Sequence, residues 1–120
     1  MSTPDPDEFD ETTRRIAALN DDFRTSFNNA SGNHIVATQG IHALPHEDRY
    51  AIFDLVRSFD QFAEENDPHG QHDFGRVTHN GQDIFWKIDA YDKSMEHGSP
   101  DPSDPSQTTR VMTIMLANEY

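Results

Sequence analysis

Asp73-Phe74-Gly75-Arg76-Val77-Thr78-His79-Asn80-Gly81-Gln82-Asp83-Ile84-Phe85-Trp86-Lys87-Ile88-Asp89 is the stretch that decides the fold. Asn80-Gly81 sits between two runs of strand-forming residues. Both turn residues tolerate positive φ, which a two-residue type I′ hairpin requires. A loop that short fixes the register. Val77 then faces Ile84, Gly75 faces Trp86, and Asp73 faces Ile88. That face is apolar and belongs against helices, with Gly75 leaving room for the indole. The opposite face pairs Arg76 with Phe85, Phe74 with Lys87, and His72 with Asp89. It is mixed and partly wet.

Outward from the hairpin, Arg110-Val111-Met112-Thr113-Ile114-Met115-Leu116-Ala117 is apolar on both faces, which predicts a central strand. Between the two lies a polar connection, Ser94 to Thr109, with Asp-Pro steps at Pro102 and Pro105. A loop of that length is usually functional or disordered, although Asp-Pro steps also favour simple turns. Upstream, Phe9, Ile16, Leu19, Phe23 and Phe27 fall at helical spacing and predict a helix over about Glu8 to Asn28. Arg14, Arg15, Asp21 and Asp22 lie off its apolar stripe. His34 to Gln39 reads as a short strand between Gly32 and Gly40. A second helix opens at Leu44-Pro45, carries Ile52, Val56, Phe59 and Phe62 or Ala63 on one stripe, and stops at Asn66-Asp67-Pro68.

The expected fold is therefore α+β, in the order α-β-α-β-β-β. About four mainly antiparallel strands form a sheet, with both helices packed on one face. At 120 residues the chain fits one domain over residues 8–120, preceded by a flexible acidic arm over residues 1–7.

Composition narrows function by exclusion. The chain has no cysteine, which removes disulfides, thiolate nucleophiles and Cys-type zinc sites. Its 22 Asp and Glu outnumber 9 Lys and Arg, for a formal charge of −13. A surface this negative repels phosphate backbones and anionic membranes. The N-terminal residues lack the apolar core of a signal peptide, and no apolar run reaches the ~18–20 residues of a membrane span. A cytoplasmic location follows. Neither a glycine-rich phosphate loop nor a Walker pattern occurs. Mean hydropathy is low at −0.85, yet twelve aromatic residues recur at structured spacings, which argues for a folded centre.

One loop is rich in groups that do chemistry. Asp67, His69, His72 and Asp73 crowd together, and the hairpin register brings Asp89 beside His72. Imidazoles and carboxylates suit a divalent metal, here His69, His72, Asp73 and Asp89. A carboxylate beside a histidine also suits acid–base work, which makes His72 and Asp89 the candidate catalytic pair. The plainer reading is structural: Asp67 caps a turn, and His72 with Asp89 forms a cross-strand polar pair.

Asn66-Asp67-Pro68-His69-Gly70, His72-Asp73-Phe74-Gly75, Phe85-Trp86-Lys87-Ile88-Asp89, Tyr91-Asp92, Gly98-Ser99, Asp101-Pro102, Asp104-Pro105 and Arg110 to Leu116 together carry a resemblance. In order and spacing these blocks resemble a family of small alphaproteobacterial proteins catalogued as a domain of unknown function. The resemblance covers about Arg15 to Tyr120 and implies no activity, ligand or catalytic residue.

The leading expectation is a non-enzymatic binding or regulatory module with a protein partner, and an exposed hairpin edge also permits a homodimer. The alternatives are a small metal-dependent or His/Asp acid–base hydrolase using the 66–75 loop, and an acidic DNA mimic that inhibits a nucleic-acid-binding enzyme. Metal separates the second from the first. A bound divalent ion predicts an upward shift of thermal unfolding on adding zinc or manganese, and no shift with any divalent ion removes that reading.

Overall fold

The computed structural model describes residues 9–27 and 32–120. Helix α1 spans Glu11–Ser26, strand β1 His34–Ala37, the short helix α2 Gln39–His42 and helix α3 His46–Ser58. The hairpin strands are β2, Phe74–His79, and β3, Gln82–Tyr91, and the last strand β4 is Thr109–Leu116. The sheet order is β1-β4-β3-β2. Two of the three pairings are antiparallel, whereas β1 runs parallel to β4, so the sheet is mixed. The α+β class, the four strands and the central place of β4 are as expected.

The hairpin closes as the turn chemistry dictates. Asn80 and Gly81 sit at φ 51° and 76°, and Gly75 pairs with Trp86 and Val77 with Ile84. Ile88 N–H donates to the Asp73 carbonyl at 2.8 Å, which continues the register by one rung. On that face Val77, Ile84, Trp86 and Ile88 join Met112 and Ile114 of β4. Phe23 of α1, Ile41 of α2, and Ile52 and Val56 of α3 close over them. Trp86 has no exposed surface, and its indole lies directly over Gly75.

Four local expectations are corrected. Helix α1 is shorter than Glu8 to Asn28. Asp10 caps it through a 2.8 Å bond from Thr13 N–H, and Phe27 ends it at φ 50°. The arm over residues 1–7, together with Glu8 and Asn28, lies outside the described residues.

β1 stops at Ala37, and Gln39 starts α2 instead of continuing the strand. That turn is held from the far end of the chain. The Glu119 carboxylate accepts from Thr38 Oγ1, Gly40 N and Leu116 N, at 2.6, 2.9 and 2.9 Å. These bonds hold its pKa below the usual value, with that from Thr38 the largest cause.

Pro45 is the residue before α3 rather than within it. The helix ends at Ser58, so Phe59, Phe62 and Ala63 are not on its stripe. Phe59 turns extended, and the Phe59 and Phe62 rings pack edge-on against Trp86 with centroids 5.5 and 6.2 Å away. Three aromatic rings in edge contact outweigh one more helical turn, which contributes little without packing.

The 94–109 connection is ordered by its own Asp-Pro turns. Asp101 and Asp104 accept from Ser103 N and Ser106 N, and Pro105–Gln107 forms a 3-10 turn. Two arginines tie it down: Arg15 Nε donates to the Ser103 carbonyl at 2.8 Å, and Arg110 Nη2 donates to the Pro102 carbonyl. Among the described residues, no helix is long and apolar enough to cross a membrane.

A Cβ at position 75 would lie 2.5 Å from Trp86 Nε1, inside a fully buried layer that cannot shift freely. Gly75→Ala is expected to destabilise by about 1–3 kcal/mol through overpacking. A lowered urea midpoint at unchanged slope would report it.

Candidate functional site

The loop between α3 and β2 is built around Asp67. Asn66 holds the preceding turn, accepting from Ala63 N at 2.8 Å and donating to the Gln61 carbonyl at 2.7 Å. Asp67 is buried, and its Oδ1 accepts from His72 N–H at 3.2 Å. Gly70 takes φ 70° against the Phe9 ring, where a side chain would have no room. Asn20 of α1 donates to the Gln71 carbonyl at 2.9 Å and accepts from Arg110 Nε at 2.7 Å, which joins loop, helix and central strand.

His72 takes φ 54° and leaves the ladder one residue before Asp73. The expected register partner, Asp89, is therefore not its partner. The ring instead stacks flat on Phe62, with centroids 3.8 Å apart and planes 1° from parallel. Its Nδ1 lies 2.8 Å from Asp21 Oδ2 and its Nε2 lies 3.6 Å from Asp67 Oδ2. Asp21 in turn accepts from Arg24 Nη2 at 3.1 Å. Arg24 is 2% exposed and donates through Nη1 to the Val56 and Arg57 carbonyls, at 2.9 and 3.2 Å. Its guanidinium lies 4.9 Å from the Trp86 ring centroid.

The remaining candidates diverge. His69 is exposed. Asp89 lies on the other face of the sheet and pairs with Lys87 Nζ at 3.1 Å. Asp73 is partly buried beside the loop. The structure thus unites His72 with Asp67 and Asp21, and it leaves His69 and Asp89 apart from them. Among the described residues, no three His, Asp or Glu side chains form a group that could hold a metal ion. Asp21 and Arg24 are the partners that sequence reasoning missed. The one trace of them is the i, i+3 spacing of a charge pair on α1.

Burial is the main cause that raises the Asp67 pKa, partly offset by the His72 N–H bond. Burial likewise raises Asp73. The hydrogen bond to Asp21 is the main cause that raises His72, against burial, with the charges of Asp21 and Asp67 adding to it. Both ring nitrogens face carboxylates and one ring face is covered by Phe62. When protonated, the ring bridges Asp21 of α1 and Asp67 of the loop.

A family profile described as Protein of unknown function (DUF3768) matches residues 37–119, and the chain belongs to that family. No curated protein and no solved structure matches the chain.

The folded-state pKa of His72 lies above its ordinary value of 6.5. Its stabilisation is fully present below that value and is lost as pH rises through the raised one. Asp67 and Asp73 shift in the same sense, but from an ordinary value of 3.8, so they act at lower pH. Asp21→Asn is expected to lower Tm more at about pH 6 than at about pH 8.5. Equal losses at both values would show that the imidazolium does not bridge the two elements.

Proposed function

For a member of a family with no assigned activity, function has to be read from the chain's own surface, and we propose a non-enzymatic protein-binding module. Its site is the groove beside the edge strand β2, and its occupant is an extended, basic segment of a partner protein. The observation that carries this reading is a groove of about 550 Å3 between Phe59 and Glu65 on one side and Phe74, Gly75, Arg76 and Phe85 on the other.

Three observations support it. First, β2 is an edge. Ladder bonds alternate in an antiparallel pair, and Asp73 bonds Ile88, so Gly75, Val77 and His79 spend their backbone groups on β3. Phe74, Arg76 and Thr78 direct theirs outward, where an added strand would meet them. Second, the sheet face opposite the helices carries an aromatic cluster. Tyr120 packs edge-on against Phe74 and Phe85, with centroids 5.8 and 5.5 Å away, and is 74% exposed. Third, a formal charge of −13 attracts a basic segment and speeds its encounter. The same charge supports a reading without direct nucleic-acid or membrane contact, and a cytoplasmic location completes it. The hydrolase and DNA-mimic alternatives gain no supporting observation.

An extended peptide of alternating lysine and valine is expected to shift the amide resonances of Phe74, Arg76 and Thr78, with an affinity that falls as salt rises. Its glutamate–valine counterpart is expected not to bind. Arg76→Pro removes an outward N–H while sparing the β2–β3 ladder, so it should abolish binding in a folded protein. Equal binding of both peptides, or shifts centred elsewhere, would overturn the reading. A concentration-dependent dimer in sedimentation that Arg76→Pro dissolves would assign the edge to a second copy of the chain instead.

A further inference from the structure

A second concavity lies where α2 gives way to α3, away from the groove. It is an open pocket of about 160 Å3 lined by His42, His46, Arg49, Tyr50 and Phe53. Three of these five residues are bases, in a chain whose charge is −13. Arg49 Nη2 lies 3.0 Å from His46 Nδ1, so the guanidinium meets a ring nitrogen rather than an acid. Its Nε is buried without a hydrogen-bond partner. None of the ion pairs among the described residues involves Arg49. The acid next to it in sequence is engaged elsewhere: Asp48 accepts from Asn80 and lies 2.9 Å from His79 Nε2, on the hairpin side.

An arginine without a carboxylate partner, beside imidazole and aromatic rings, is a cation that an anion would complete. The walls are aromatic. His46 and Tyr50 meet edge to face with centroids 4.5 Å apart, and Phe53 closes the pocket with carbon. The volume is about half the lower bound of roughly 300 Å3 for drug-sized ligands, which admits one ring and its acid group but no nucleotide.

We propose that this pocket binds a small aromatic carboxylate, with the carboxylate on Arg49 and the two histidines and the ring against Tyr50 and Phe53. The site is independent of the partner-binding groove, and either can fail without the other.

Titration of the full chain with benzoate, followed by NMR of the histidine and arginine side chains, tests the proposal. Benzamide and inorganic phosphate are the comparison ligands. Benzoate should give saturable shifts at His42, His46, Arg49 and Tyr50. Arg49→Gln should weaken binding by at least about tenfold. His42 is exposed, so His42→Gln should keep the fold and weaken binding at least about twofold by removing one partner of the carboxylate. Benzamide binding as well as benzoate would reduce the pocket to an apolar slot. Phosphate binding as well as benzoate would reduce it to bare charge. Either result overturns the proposal, as does failure to saturate by ~10 mM benzoate. If Arg49→Gln does not fold, an unchanged affinity in His42→Gln overturns it as well.

Discussion

Arg24 is a charge placed where water cannot reach it, and three parts of the molecule are arranged to make that tolerable. Taking a guanidinium out of water costs several kcal/mol unless hydrogen bonds and opposite charge replace the lost solvation. Here the last carbonyls of α3 accept two bonds, at the end of the helix where a cation is favoured, and Asp21 supplies the countercharge. The Trp86 and Phe62 rings offer their faces at 4.9 and 5.5 Å. One donor, Nε, still has no hydrogen-bond partner, and neither does Trp86 Nε1. α1, α3, the ring of Phe62 and, through Asp21, His72 all meet at this one group.

Much of the fold was legible because its signals were local. Asn80-Gly81 set the hairpin register without help from elsewhere, and a strand apolar on both faces had to be central. What escaped was non-local. The parallel pairing of His34 with Val111 and Ala37 with Ile114 joins segments some two-thirds of the chain apart, and nothing in either segment names the other. The helical turn at Gln39 depends on Glu119 in the same way. Phe59 and Phe62 matched a helical stripe, but the helix ends at Ser58 and both rings instead make edge contacts with Trp86.

The candidate site was legible as a crowd but not as an arrangement. Extending the hairpin register by two residues placed His72 beside Asp89, and a single residue at φ 54° cancelled the inference. Asp21 stood off the apolar stripe of its helix, where a charge normally meets solvent. Periodicity shows which face of a helix is polar, but it cannot show that a loop will later cover part of that face. Gly75 was more informative, because its close approach to Trp86 follows from the hairpin register, whereas that of Gly70 to the Phe9 ring is visible only in the structure.

The position of β4 bears on how the molecule comes into being. Among the described residues, β4 is one of the two inner strands and the last in sequence, and it is the sole strand partner of β1 and the second partner of β3. During synthesis the hairpin can form early, since its contacts are local. β1 must wait, with its edge unpaired, until residues 109–116 have emerged. Contacts of such long sequence separation slow folding and leave partly made chains exposed to aggregation. A formal charge of −13 opposes the association of like chains over the interval before the sheet can close.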